Sequence, residues 1–233
     1  MDRKDEVVLV TGASRGLGYA LALAEAARGA HVVALARTVG GLEELDDAVK
    51  AAGGAATLTP LDVTDDDGLA RLGAAIHQRW GRLDRWLHCA VHAPPCAPAS
   101  HADAKDVDRA MAVNARATQR LIRVLDPLLR AAPAGAAALM DDRTEGRPFF
   151  APYAASKAAA RAWWAAWALE TSKSPLRVRL ALPPPMATAT RARFFPGEDR
   201  ERLARPAEVA GRLLAALAQG GDAEIDLRER LAA

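Results

Sequence analysis

A chain of 233 residues with 51% hydrophobic residues and a net charge of +2 is long enough to bury a sizeable core as one α/β domain, and its composition argues against disorder. The 31 basic and 29 acidic residues are interspersed, which leaves no electrostatic footprint for nucleic acid or an anionic membrane surface. No apolar run approaches the length of a spanning helix. The opening Met1-Asp2-Arg3-Lys4-Asp5-Glu6 is the opposite of a secretory leader, so a cytoplasmic protein is expected.

Apolar runs of strand length alternate with helix-length segments from one end of the chain to the other. Residues 7–10 read as a strand, 16–28 as a helix closed by Gly29, 31–36 as a strand, and 41–52 as a helix ended by Gly53-Gly54. A third strand at 55–61 precedes Thr64, read as an N-cap with Asp67 three residues on, opening a helix to Trp80. Residues 83–89 form a fourth strand, and a long helical stretch from about 104 to 131 carries Pro127 near its end. A strand at 136–140, a helix at 153–172 and a strand at 176–182 follow. Pro206, a favoured first helical residue, starts a last helix to Gln219, with a short strand at 223–227. Strict alternation with non-alternating, buried strands predicts an α/β fold, a doubly wound parallel sheet of Rossmann type in three α/β/α layers. No linker or repeat divides residues 1–233, which read as a single domain. The exception to the regular pattern is 183–205, which holds prolines, Phe194-Phe195 and the charged run from Glu198 to Arg202. It reads as a substrate loop past the carboxyl end of a strand, the edge where a doubly wound sheet holds its ligands.

After the first strand comes Thr11-Gly12-Ala13-Ser14-Arg15-Gly16-Leu17-Gly18, running directly into a helix. Glycines there permit a sharp turn, close approach of the backbone to a pyrophosphate, and a helix start whose N–H groups face the anion. The pattern resembles the cofactor motif of the short-chain dehydrogenase/reductase family, and the likeness extends over most of the chain. It implies that Gly12, Ser14, Arg15, Gly16, Leu17 and Gly18 hold a nicotinamide dinucleotide, with Asp62-Val63 after the third strand at the adenine. Val113-Asn114 matches the family's helical Asn, and Tyr153-Ala-Ala-Ser-Lys157 its Tyr-x-x-x-Lys pair. Only five residues of the chain are lysine, which makes that pair informative. Ala90 and Thr188 complete the implied cofactor contacts. A carboxylate ending the second strand would bind a ribose 2'-hydroxyl, whereas an Arg accommodates a 2'-phosphate. That strand ends Ala36-Arg37, and Arg15 can approach the same phosphate, so NADP(H) is expected over NAD(H).

By resemblance, Tyr153 is the general acid/base at the substrate oxygen and Lys157 lowers its pKa, ordinarily about 10, while also holding the nicotinamide ribose. Asn114 would hold a proton-relay water. The family's Ser, about thirteen residues before the Tyr, is missing: Met140 holds that position, and no Ser lies between Ser100 and Ser156. A shift of one or two residues puts Asp141 or Asp142 there, as a tentative substrate-binding group. An ionised carboxylate accepts hydrogen bonds but donates none, and loss of an oxyanion donor costs other enzymes on the order of 100- to 1000-fold. The family's Asn-Asn-Ala-Gly is His88-Cys89-Ala90-Val91 here, and its Pro-Gly is Pro183-Pro184-Pro185 with Met186 following. His88 and His92 read as structural or loop residues sooner than as ligands or bases.

Two functions therefore stand. One is an NADP(H)-dependent oxidoreductase acting on a carbonyl or alcohol, with Asp141 or Asp142 selecting a cationic or polyhydroxylated substrate. The other is a catalytically impaired NADP(H)-binding sensor or scaffold on the same fold. No metal site is expected, since Cys89 and Cys96 fit no zinc or redox spacing. The partner is a small molecule, with neither nucleic acid nor membrane. The resemblance implies a homodimer or homotetramer, and Trp163, Trp164 and Trp167 span too wide an arc for one narrow face, so interface and core packing are both open.

Overall fold

The computed structural model describes residues 5–219 and 221–228. Seven parallel strands form one sheet in the order β3-β2-β1-β4-β5-β6-β7: β1 (Val7–Thr11), β2 (His31–Ala36), β3 (Ala55–Pro60), β4 (Arg85–His88), β5 (Ala136–Met140), β6 (Arg177–Leu182) and β7 (Glu224–Asp226). This is the doubly wound Rossmann-type sheet expected from the alternation. Every residue of β1 is buried because both faces of the sheet are covered. Val8 and Val10 face one layer, with Leu17 and Leu21 of α1 (Gly16–Ala26), Leu42 and Leu45 of α2 (Val39–Ala51), and Leu213 and Leu214 of α8 (Pro206–Ala218). Val7 and Leu9 face the other, with Leu69 and Ile76 of α3 (Asp66–Trp80), Leu121 and Leu125 of α5 (Ala117–Arg130), and Trp164 and Trp167 of α6 (Ala151–Glu170).

Several boundaries differ from the sequence expectation, each for a local reason. The cap of α3 is Asp65, not Thr64: the Asp65 carboxylate accepts from the Gly68 N–H at 3.0 Å, while the Thr64 hydroxyl turns back to Asp62 at 2.8 Å. The long helix is interrupted. A segment α4 (Ala104–Ala110) passes into a widened π turn at Met111–Arg116 before α5 begins. Residues 183–205 are not a plain loop, since α7 (Ala189–Phe194) and a short 3-10 turn (Arg200–Arg202) lie within them. Thr188 caps α7 by accepting from the Arg191 N–H.

Of the three tryptophans on α6, two fill the core. Trp86 of β4 lies 5.0 Å from Trp164 and 6.1 Å from Trp167, centroid to centroid. The Trp164 indole N–H donates to the Arg179 carbonyl at 2.9 Å and that of Trp167 to Asp126 at 2.7 Å, as buried indoles usually do. Trp163 stands exposed on the same helix.

Candidate active site

The sheet order reverses between β1 and β4, and the glycine loop sits at that switch point. Gly12 has φ +75°, and a Cβ there would lie 2.8 Å from the Ala90 backbone nitrogen. At Gly18 a Cβ would stand 2.2 Å from the Gly12 carbonyl oxygen. Only glycines let the turn close against the end of β4. Arg15, which precedes α1, is extended and makes no side-chain cap, so the first-turn N–H groups face outward at the positive end of the helix. This cradle and uncapped helix start fit the pyrophosphate of a dinucleotide. A cleft of about 420 Å³ runs from there, and every residue assigned to the cofactor from the sequence lines it, Thr188 included.

At the far end of the cleft Asp62 is already engaged. Its Oδ2 accepts from Arg109 Nη2 at 2.7 Å, and its Oδ1 accepts from the Thr64 N–H and hydroxyl. Burial pulls its pKa up, but the bonds from Thr64 and Arg109 outweigh that and hold it below the usual carboxylate range. Arg37 reaches the same oxygen only at 3.8 Å, and its side chain is half exposed. Its fork of donors is therefore open to another anion.

His88 is buried beneath the site with both ring nitrogens engaged. Its Nδ1 lies 2.6 Å from the Thr11 hydroxyl and its Nε2 2.9 Å from that of Thr118. Thr118 donates to the Asn114 carbonyl at 2.6 Å, so it must accept from Nε2–H, which assigns the tautomer and leaves Nδ1 to accept from Thr11. This complete, neutral chain ties β1 and β4 to the π turn. Burial, aided by the Lys157 charge, pushes the His88 pKa down to about 3. Burial likewise pushes the Cys89 thiol up to about 12, away from the thiolate form that reacts.

The π turn points the Asn114 side chain at the segment after β4. Its Nδ2 donates to the His92 carbonyl and to Ser156 Oγ, both at 2.9 Å, and its Oδ1 accepts from the His92 N–H at 2.7 Å. Ser156 in turn donates to the Tyr153 carbonyl at 2.8 Å. Asn114 thus pins the β4 loop to the first turns of α6, where Tyr153 and Lys157 lie.

The two aspartates after β5, which the sequence could not tell apart, have opposite surroundings. Asp141 turns inward. Its side chain is fully buried, with Arg161 Nη1 2.8 Å from Oδ2 and Lys157 Nζ 3.4 Å from Oδ1. Asp142 faces the cleft, and the Tyr153 hydroxyl donates to its Oδ2 at 2.9 Å. Lys157 also donates to the Met140 carbonyl at 2.6 Å. Met140 keeps its thioether in the core. The place beside the Tyr hydroxyl therefore belongs to Asp142.

One expectation is overturned here. Lys157 does not lower the Tyr153 pKa. Burial first, and then the Asp142 charge and hydrogen bond, raise it well above the ordinary tyrosine value. The ammonium is neutralised by Asp141 on its other side, while Asp142 holds the phenolic proton. Partial desolvation at the cleft wall, opposed by Lys157 and reinforced by Asp141, also raises the Asp142 carboxyl, although the residue stays exposed to solvent.

Residues 183–205 close the other side of the cleft. Phe194 of α7 meets the Tyr153 ring edge-on, with centroids 4.9 Å apart, and also packs on Phe150. Arg147 stacks over Phe150 and Phe195, while Arg191 holds Glu198 through two bonds. Arg109 and Arg161 were missed from the sequence. Arg161 lies one turn beyond Lys157, a spacing that could have shown it, but 31 basic residues, nearly all Arg, make any single one inconspicuous.

The class of protein follows from the switch-point cradle and the Tyr-Lys pair facing it across one cleft, and comparison agrees. Residues 6–199 match the short chain dehydrogenase family, and the chain belongs to that oxidoreductase family. The chain is 31% identical over 210 residues to the protein named uncharacterized oxidoreductase YciK of Escherichia coli strain K12, covering 88% of this chain and 83% of that one. A structure from Escherichia coli CFT073 solved with NADPH superposes with TM-score 0.87 at 31% identity, over 96% of this chain and 97% of that one. A metagenomic short-chain oxidoreductase in complex with NADP gives TM-score 0.83 at 26% identity, over 97% and 98%. No helix among the described residues is long and apolar enough to cross a membrane.

Proposed function

We propose that the chain is an NADP(H)-dependent oxidoreductase that moves hydride to or from a carbon bearing a heteroatom, the carbonyl/alcohol couple being the family's usual case. The observation that carries this reading is that Lys157 and the hydrogen-bonded Tyr153–Asp142 pair line one cleft with the glycine cradle. A bound reduced dinucleotide supplies the hydride. The residues of the chain do the rest. The outward N–H groups of α1 and the glycine loop receive the pyrophosphate, and Arg37, with Arg15 lining the same cleft, takes the 2'-phosphate that favours NADP(H) over NAD(H). The two relatives solved with NADPH and NADP support that preference. Val63 and Ala90 wall the cleft, and Asp62 meets the adenine once Arg109 gives way. Lys157, anchored between the Met140 carbonyl and Asp141, orients the ribose. Tyr153 and Asp142 meet the reacting heteroatom and hold or pass its proton, as general acid/base catalysis requires.

Residues 183–205 serve as the substrate loop of a single NAD(P)-binding domain spanning 1–233. A homodimer or homotetramer through α5 and α6, with exposed Trp163 at the contact, completes the proposal. The rival reading, a catalytically impaired NADP(H) sensor, draws on the missing Ser and the raised Tyr153 pKa. The variant Tyr153→Phe separates them. Catalysis predicts a loss of turnover of roughly 100-fold or more with NADPH affinity unchanged. Turnover absent from both while NADPH binds tightly would favour the sensor, and equal, measurable turnover in both would show that catalysis does not use the Tyr153 hydroxyl.

A further inference from the structure

At the polar end of the substrate cleft the groups beside Tyr153 are acceptors, and the buried lining hydroxyl without a partner among the described residues is that of Thr144, two residues beyond Asp142. Tyr153 spends its one proton on Asp142 Oδ2 at 2.9 Å, so the phenolic lone pairs and the carboxylate are what an entering group meets. Asp142 is also the cleft carboxylate without an ion-pair partner among the described residues. Arg161 and Lys157 go to Asp141, Arg143 to Glu224, Arg191 to Glu198 and Arg228 to Asp226, while Arg147 lies over Phe150 and Phe195. The positive side chains at this end of the cleft are thus spent elsewhere. A neutral carbonyl oxygen, itself only an acceptor, finds no free proton on the Tyr153–Asp142 pair.

We propose that the bond reduced at this site is a C=N bond carried as an iminium, whose N–H is received by Asp142 and by the Tyr153 oxygen. The inference rests on the oxidoreductase reading above and narrows its substrate class. The step balances without a proton donor. The iminium carbon receives the hydride of the reduced nicotinamide, the π pair moves onto nitrogen, and the positive charge disappears to leave a neutral secondary amine with its N–H still on the carboxylate. Tyr153, whose proton is held tightly, is not asked to give it up. A carbonyl would need that proton for its developing alkoxide. The walls suit a flat, aryl-bearing imine, because Phe194 stands edge-on to Tyr153 with Phe150 and Phe195 behind it.

The test uses matched bicyclic pairs with the full-length protein. With NADPH, 3,4-dihydroisoquinoline should be reduced and α-tetralone should not, by a margin of about 10- to 100-fold, the range of a charge-assisted hydrogen bond. Binding gives an independent readout. With NADP+ present, calorimetry should show the tetrahydroisoquinolinium cation binding tighter than α-tetralol by a similar factor. Asp142→Asn, isosteric and first checked for an unchanged melting profile, should erase that difference. Asp142→Ser, which restores a donor, should shift turnover toward the ketone. Preference for tetralone in the wild type, or equal affinities for cation and alcohol, would overturn the proposal and mean that Asp142 works protonated, as a donor. Cation binding undiminished in Asp142→Asn would overturn it as well. Failure to bind NADPH at all is a different result, and would defeat the oxidoreductase reading itself.

Discussion

The buried ion triad behind the active site sets up the most quantitative prediction. Arg161 reaches Asp141 Oδ2 at 2.8 Å, and the Asp141 side chain is fully buried while that of Arg161 is 20% exposed. Arg161→Met keeps most of the apolar stem and removes the guanidinium. Breaking a buried pair from one side costs about 3–5 kcal/mol, because the remaining charge is stranded. Two features reduce that here. Arg161 is partly solvated, and Asp141 keeps Lys157 at 3.4 Å. The expected loss is therefore about 2–3 kcal/mol, or roughly 5–10 °C in Tm at this chain length. Urea denaturation followed by tryptophan fluorescence measures it, and a double-mutant cycle with Asp141→Asn should return a coupling of about 1 kcal/mol or more. A loss below about 0.5 kcal/mol, the range of ordinary surface substitutions, or strict additivity with Asp141→Asn, would refute the claim that Arg161 holds the Asp141–Lys157 arrangement.

Other predictions follow from the same geometry. His88 stays neutral in the folded protein down to about pH 3 but takes up a proton near 6.5 when unfolded. The unfolded state then binds more protons and stability falls as pH drops through that window, by about 2 kcal/mol between about pH 7.5 and 5. In His88→Gln the urea midpoint should be lower at neutral pH but decline less on acidification; an unchanged decline would show that His88 is not the acid-sensitive group. Gly18→Ala places a Cβ 2.2 Å from the Gly12 carbonyl, which should cost about 1–3 kcal/mol and weaken dinucleotide binding. Wild-type stability and affinity in that variant would mean that the turn is looser than its geometry implies.

The order of elements was legible because the period of apolar residues changes cleanly between strand and helix, as in Val7–Thr11 followed by the glycine loop. The glycine loop was legible for a stricter reason, since positions 12 and 18 have no room for a Cβ. The π turn around Asn114 was not, because its residues are ordinary helix formers and the widening depends on Thr118 and His92 reaching Asn114 from other elements. The cap at Asp65 was missed because Thr64 and Asp65 are both good caps and the Asp62 carboxylate decides between them. Asp141 and Asp142 were indistinguishable for a related reason. Neighbours in an extended segment face opposite ways, and which faces inward is settled by Arg161, twenty residues on in sequence. The expected lowering of the Tyr153 pKa by Lys157 was not legible, because it depends on where the Lys157 charge is balanced, and Asp141 balances it.

The central claim is that this cleft holds a 2'-phosphorylated nicotinamide dinucleotide, and the most direct measurement is a fluorescence titration of the purified protein with NADPH and with NADH. Saturable binding is predicted for both, tighter for NADPH by about tenfold or more, with the difference removed in Arg37→Ala because a charge-assisted phosphate contact is lost. Equal affinities, or a preference that survives Arg37→Ala, would contradict the assignment of the 2'-phosphate site. No binding of either dinucleotide would contradict the account as a whole.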